Sequence, residues 1–67
     1  MNIQRKIGQE VAGARLAAGM TQQTLARLAK TRQANISRLE RGIQNPSVEF
    51  LERIAKSVGR TIRIRLE

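Results

Sequence analysis

The sequence predicts an all-α fold: a compact bundle of four to five helices, followed by one short C-terminal β-strand. Three observations carry this expectation. Apolar residues recur at spacings of three and four through most of the chain, the period of a half-buried helix. Glycines and a single proline cut that pattern into four pieces. From Thr61 onward the period changes to two, that of a half-buried strand. No internal repeat or low-complexity stretch interrupts the pattern, and 67 residues make one small domain.

The first helix is expected from about Ile3 to Ala18, with Ile3, Ile7, Val11, Ala14 and Ala18 on one face. Gly8 and Gly13 lie inside it. Each weakens the helix by roughly 1 kcal/mol relative to Ala, or else lets a neighbouring helix approach closely. Gly19 suits the residue just past a helix end, and Met20 reads as core filler. Thr21 is the expected N-cap of the second helix, Gln22 to Ala29, which faces inward through Leu25, Ala26 and Ala29. A tight turn at Lys30 and Thr31 leads into the third helix, from about Arg32 to Arg41. Ile36 and Leu39 face inward there, and Gly42 ends it.

Asn45-Pro46 predicts a cap followed by proline at the first position of the fourth helix. That helix is expected to reach about Val58, with Val48, Leu51, Ile54, Ala55 and Val58 as its stripe and Gly59 closing it. Phe50 falls off the stripe, at the core edge or in an interface. In the tail, Ile62, Ile64 and Leu66 alternate with Thr61, Arg63 and Arg65. A lone strand leaves its backbone donors and acceptors unmet. The expected partner is the same strand of a second chain, with Ile62, Ile64 and Leu66 as the dimer interface. Residues 1–59 then form a helical domain and residues 60–67 a dimerisation strand.

Composition narrows the function. Thirteen Lys and Arg against five Asp and Glu give a net charge of +8. Such an imbalance points to a polyanionic partner, nucleic acid before an anionic membrane surface. The single aromatic residue, Phe50, cannot build the stacking platform that single-stranded RNA or DNA binders use. Duplex DNA read by a helix is the better match. The chain has no Cys and no His, which removes thiol chemistry, disulfides, zinc fingers and His-based acid–base catalysis. Ser37, Ser47 and Ser57 have no evident base beside them, and there is no metal cluster or phosphate loop. The expectation is a protein that is not an enzyme and takes no cofactor or metal. No apolar run approaches the roughly 18 residues of a membrane span, and Met1 to Glu10 lacks the apolar stretch of a signal peptide. A soluble cytoplasmic protein follows. Without disulfide or metal, a chain this small gains burial by oligomerising.

Two short helices joined by a tight turn, the second rich in polar residues, describe a helix-turn-helix. The residues Thr21-Gln22-Gln23-Thr24-Leu25-Ala26, Gln33-Ala34-Asn35-Ile36-Ser37-Arg38-Leu39-Glu40-Arg41-Gly42 and Asn45-Pro46-Ser47 closely resemble the lambda-repressor/Cro-type (Xre) helix-turn-helix family. The resemblance spans roughly Ile7 to Gly59. The C-terminal run Ile54 to Arg65 is similar to that of small antitoxins of the HigA and HipB kinds, in which the tail strand pairs across a dimer. Lys30 stands where the family often has Gly, which costs on the order of 1 kcal/mol in a left-handed conformation. Arg32 stands where a small cap is usual, so Thr31 is expected to cap instead.

The resemblance implies that the third helix enters the major groove with its N-terminal half nearest the bases. Gln33 is the first candidate for a base contact, because glutamine pairs bidentately with adenine. Ala34 is small enough to meet a thymine methyl, or is a plain helix former. Arg38, one turn on, reaches guanine O6 and N7 or a phosphate. Asn35 flanks this surface as a further base candidate. Phosphate contacts are expected from Gln22, Arg32, Arg41, Gln44 and Asn45, although capping alone explains Asn45 equally well. By resemblance, Arg15 and Glu40 form an internal salt bridge between the first and third helices rather than a DNA contact. Arg53, Lys56 and Arg60 read as solvated helix surface.

These expectations describe a homodimeric, sequence-specific repressor of a bacterial cytoplasm that covers promoter DNA at an inverted repeat. The tail implies more narrowly an antitoxin that autoregulates its operon and neutralises a protein toxin, a HipA-like kinase or a RelE/HigB-like nuclease. The alternative is a plain Xre-family repressor, phage or chromosomal, with no toxin partner. Arg63 and Arg65 suit an acidic partner, or only guard an exposed strand edge.

Overall fold

A computed structural model describes residues 2–60 of the chain. The expected tail strand, with Ile62, Ile64 and Leu66, lies outside the described residues. The elements are α1 (Ile3–Ala17), α2 (Gln22–Leu28), α3 (Gln33–Glu40) and α4 (Val48–Ser57). Three of the four starts follow one device, an extended residue whose side-chain oxygen accepts the N–H three positions on. Asn2 accepts from Arg5 at 3.1 Å, Thr21 from Thr24 at 3.0 Å and Ser47 from Phe50 at 3.0 Å.

The ends are equally regular. The N–H groups of Met20, Thr31, Ile43 and Arg60 bond back to the carbonyls of Arg15, Ala26, Arg38 and Ala55, at 3.0, 2.9, 3.2 and 2.8 Å. This is the Schellman closure, which turns on one left-handed residue just past the helix. Three turns use glycine, and the fourth uses Lys30 at φ 57°. Gly42 answers two demands at once. Its φ is +75°, and a Cβ there would stand 2.7 Å from the Cα of Arg5.

The core is Leu25, Ala26 and Ala29 of the second helical segment, Ile36 and Leu39 of α3, and Phe50 and Ile54 of α4. Ile7, Val11, Met20, Leu51 and Val58 pack around it. The buried α3 face is thus held by α1 and α2 on its flanks. Gly8 sets how closely α1 approaches. A Cβ on it would lie 2.4 Å from the Leu39 carbonyl oxygen and 2.6 Å from that of Glu40. Gly13 has no such role, since nothing lies within 4 Å of the same position.

Several expectations need correction. Ile3 is 63 % exposed; it lies one turn before Ile7, the first α1 residue against the core. Ala18 is exposed and forms the C-cap. The fourth helix starts at Val48, capped by Ser47 and not by Asn45, which leaves Pro46 outside the helix. Its buried residues are Phe50 and Ile54, with Leu51 and the C-cap Val58 half-buried against the core. Val48 is 54 % exposed, whereas Phe50 is core. Thr31 does not cap α3. Arg32 holds the cap position and makes no side-chain capping bond.

Candidate nucleic-acid interface

With Ile36 and Leu39 turned into the core, the opposite face of α3 is presented to solvent by helical geometry. Ala34 and Arg38 are exposed there, one turn apart, and Gln33 is exposed beside them in the first turn of the helix. Arg32 and Arg41 are exposed at the two ends of the helix, as its N-cap and C-cap. The structure therefore leaves five of the candidates exposed on one helix and its caps. Gln44 and Asn45 lie off it, in the segment 41–47. Asn45 is exposed, while the half-buried Gln44 has its Oε1 shielded from solvent with no partner among the described residues.

Asn35 stands apart from the free candidates. Its Nδ2 donates to Thr31 Oγ1 at 2.9 Å, and its Oδ1 accepts from Nη2 of Arg38. The side chain offered as a base reader is thus held within the protein on both sides.

Behind the face lies an ion pair that ties three elements together. Arg15 Nε donates to Glu40 Oε2 at 2.8 Å, and its Nη2 donates to Oε1 at 3.1 Å. This is the two-pronged geometry that arginine makes with a carboxylate. The remaining Nη1 donates to the Met20 carbonyl at 2.8 Å. The two side chains are only 13 % and 7 % exposed. Gln22 joins the cluster, its Nε2 donating to Glu40 Oε1 at 3.1 Å. One of the two amide protons of Gln22 is therefore engaged internally, and the other remains for an outside acceptor. The hydrogen bond to Glu40 raises the Arg15 pKa above its ordinary value; burial opposes this and the charge attraction adds to it.

Sequence reasoning missed Arg53. It is exposed, as read, but its Nε also donates to the Ala29 carbonyl at 3.1 Å, at the end of α2. Its guanidinium carbon stands 5.4 Å from the centroid of the Phe50 ring, within cation–π range. The signal was available: positions 50 and 53 are one turn apart on a helix.

The arrangement is shared by known proteins. The helix-turn-helix family profile matches residues 11–64. The clp gene regulator ClgR from Corynebacterium glutamicum superposes with a TM-score of 0.84 at 26 % identity, over 87 % of this chain and 62 % of that one. A second structure of that regulator gives 0.86 at 25 % identity, over 88 % and 76 %. The restriction-modification controller protein C.AhdI from Aeromonas hydrophila gives 0.82 at 30 % identity, over 84 % and 81 %. This chain thus spans less than two thirds of the first of these three structures. No curated protein matches it in sequence. A profile match that runs from the middle of α1 through α4, on a fold common to two regulators, leaves one conclusion: the chain belongs to the helix-turn-helix family, of the lambda-repressor type.

Proposed function

We propose that the protein is a sequence-specific transcriptional repressor that binds duplex DNA as a homodimer and acts in the bacterial cytoplasm. The observation that carries this reading is the exposed face of α3. Gln33, Ala34 and Arg38 stand on it with no core role, on a chain of net charge +8. In this reading Gln33 and Arg38 supply base discrimination, and Arg32, Arg41, Gln22, Gln44 and Asn45 hold the backbone. Repression is steric, because a bound dimer covers promoter DNA.

Dimerisation is assigned to residues 60–67 on their alternating apolar pattern. A two-fold dimer reads an inverted repeat whose half-sites lie about one helical turn, 10–10.5 bp, apart. Within this function we place the antitoxin role, which rests on the resemblance of the tail to small antitoxins. Its partner would be a protein toxin, either a kinase or a nuclease.

Base-resolved binding tests the DNA reading. Gln33→Ala should lose about 1–3 kcal/mol on the preferred site and relax specificity at one base pair. Unchanged preference would remove Gln33 from the readout. Deleting residues 61–67 should yield monomers by sedimentation, and a persistent dimer would move the interface elsewhere. Co-purification with the product of the adjacent gene at moderate salt tests the toxin. Intact DNA binding without a complex leaves the plain repressor.

A further inference from the structure

Thr31, in the turn before α3, and Asn35 and Arg38, on α3, follow one another at i, i+4 and i+7, joined by hydrogen bonds. The first link is Asn35 Nδ2 to Thr31 Oγ1 at 2.9 Å, and the second runs from Arg38 Nη2 to Asn35 Oδ1. Together they fix the orientation of the amide, since only its oxygen can accept from a guanidinium. Thr31 is anchored in turn, because its N–H closes the end of α2 onto the Ala26 carbonyl at 2.9 Å. Thr31 and Asn35 are half-buried, while Arg38 is exposed.

We propose that Thr31, acting through Asn35, is a positioning residue for Arg38, holding its guanidinium over the face that carries Gln33 and Ala34. The inference rests on the proposed reading of DNA by α3 and names what sets the specificity of one of its readers. Arginine has five N–H donors. One is engaged by Asn35, and the others remain for the O6 and N7 acceptors of a guanine. A free arginine must surrender rotamer freedom on contact. That loss weakens binding about two- to tenfold for each such side chain immobilised. The relay moves this loss from binding to folding. The turn between the two helices thereby sets the geometry of a base reader two turns further along.

The test uses the full chain and a duplex library randomised over about 20 bp, roughly two helical turns. Sequencing of the bound fraction gives base preference at every position, and thermal melting confirms that each variant folds. Arg38→Ala should flatten the position that Arg38 reads. Thr31→Val keeps the shape and removes the hydroxyl acceptor. It should lower preference at that same position by about two- to tenfold while leaving the Gln33 position intact. Thr31→Ser, which restores the acceptor, should behave as the parent does. If Thr31→Val fails to fold, Asn35→Ala breaks the same relay and should give the same single-position loss.

A flattened position in Arg38→Ala with no change in Thr31→Val overturns the relay and leaves the DNA reading standing. An equal loss at every position makes Thr31 merely structural and also overturns it. If Arg38→Ala flattens no position, Arg38 is not a base reader and the relay falls, while the reading of DNA by α3 is then decided by Gln33→Ala.

Discussion

At Glu40 a single carboxylate accepts two bonds from Arg15 and one from Gln22. Removing Arg15 leaves that charge out of solvent with one neutral donor, the costly way to break such a pair. Arg15→Met is expected to lose about 3–5 kcal/mol in urea unfolding. A single core of this size supplies roughly 3–5 kcal/mol, so the variant should be largely unfolded at room temperature. Arg15→Met with Glu40→Met should recover most of the loss, because no charge is then stranded. The pH dependence has a definite sign. A raised pKa means the contribution of Arg15 is complete below the ordinary arginine value and is lost only as pH rises through the still higher folded value. Lys30 offers the opposite case. Its left-handed φ of 57° costs an L-residue about 1–2 kcal/mol, so Lys30→Gly should raise the urea midpoint, with glycine's own chain entropy trimming the gain. The strained position was legible through the resemblance, since Lys30 stands where the family often has Gly. What Gln22 and Asn35 bond to was not. An amide accepts a phosphate, a carboxylate or a hydroxyl as partner, and only folding decides which lies within 3 Å.

Helices were legible here because their punctuation is local. Gly19, Gly42 and Gly59 mark three of the ends, and the apolar period marks the bodies. The start of α4 was less so, because Asn45-Pro46 and Ser47 both carry capping chemistry and differ only in which N–H comes within reach. Ser47 accepts from Phe50, which puts Val48 in the exposed first turn. The inner glycines of α1 show the limit of pattern more sharply. Gly8 and Gly13 look alike in sequence, and each lowers helix propensity by roughly 1 kcal/mol. In the structure a Cβ on Gly8 would lie under 3 Å from the carbonyl oxygens of Leu39 and Glu40, and one on Gly13 would meet open space. Substitution should therefore act with opposite signs. Gly13→Ala should stabilise by roughly 1 kcal/mol. Gly8→Ala drives a methyl group into backbone that cannot rotate away, and should destabilise by about 1–3 kcal/mol. Paired melting curves decide it. Two shifts of the same sign would mean that α1 does not approach α3 as described.

For the whole molecule the decisive quantity is charge. A net +8 on 67 residues attracts any duplex, so affinity alone does not separate a specific reader from a merely basic surface. Salt dependence does. Log affinity should fall linearly with log salt, with a slope of about 0.9 for each phosphate neutralised. Arg32 and Arg41 stand exposed at the two ends of α3, where a helix lying in the groove meets the flanking backbone. Arg41→Gln should thus weaken all sequences alike and make the slope shallower by about one per protomer, or about two for a dimer. Gln33→Ala carries no charge change, so it should leave the slope untouched while changing preference at one base. Titrating a labelled duplex by fluorescence anisotropy at a series of KCl concentrations measures both. A slope for Arg41→Gln equal to that of the parent would place Arg41 away from the phosphates. A slope change for Gln33→Ala would show that the variant displaces the whole domain on its site rather than removing a single reader.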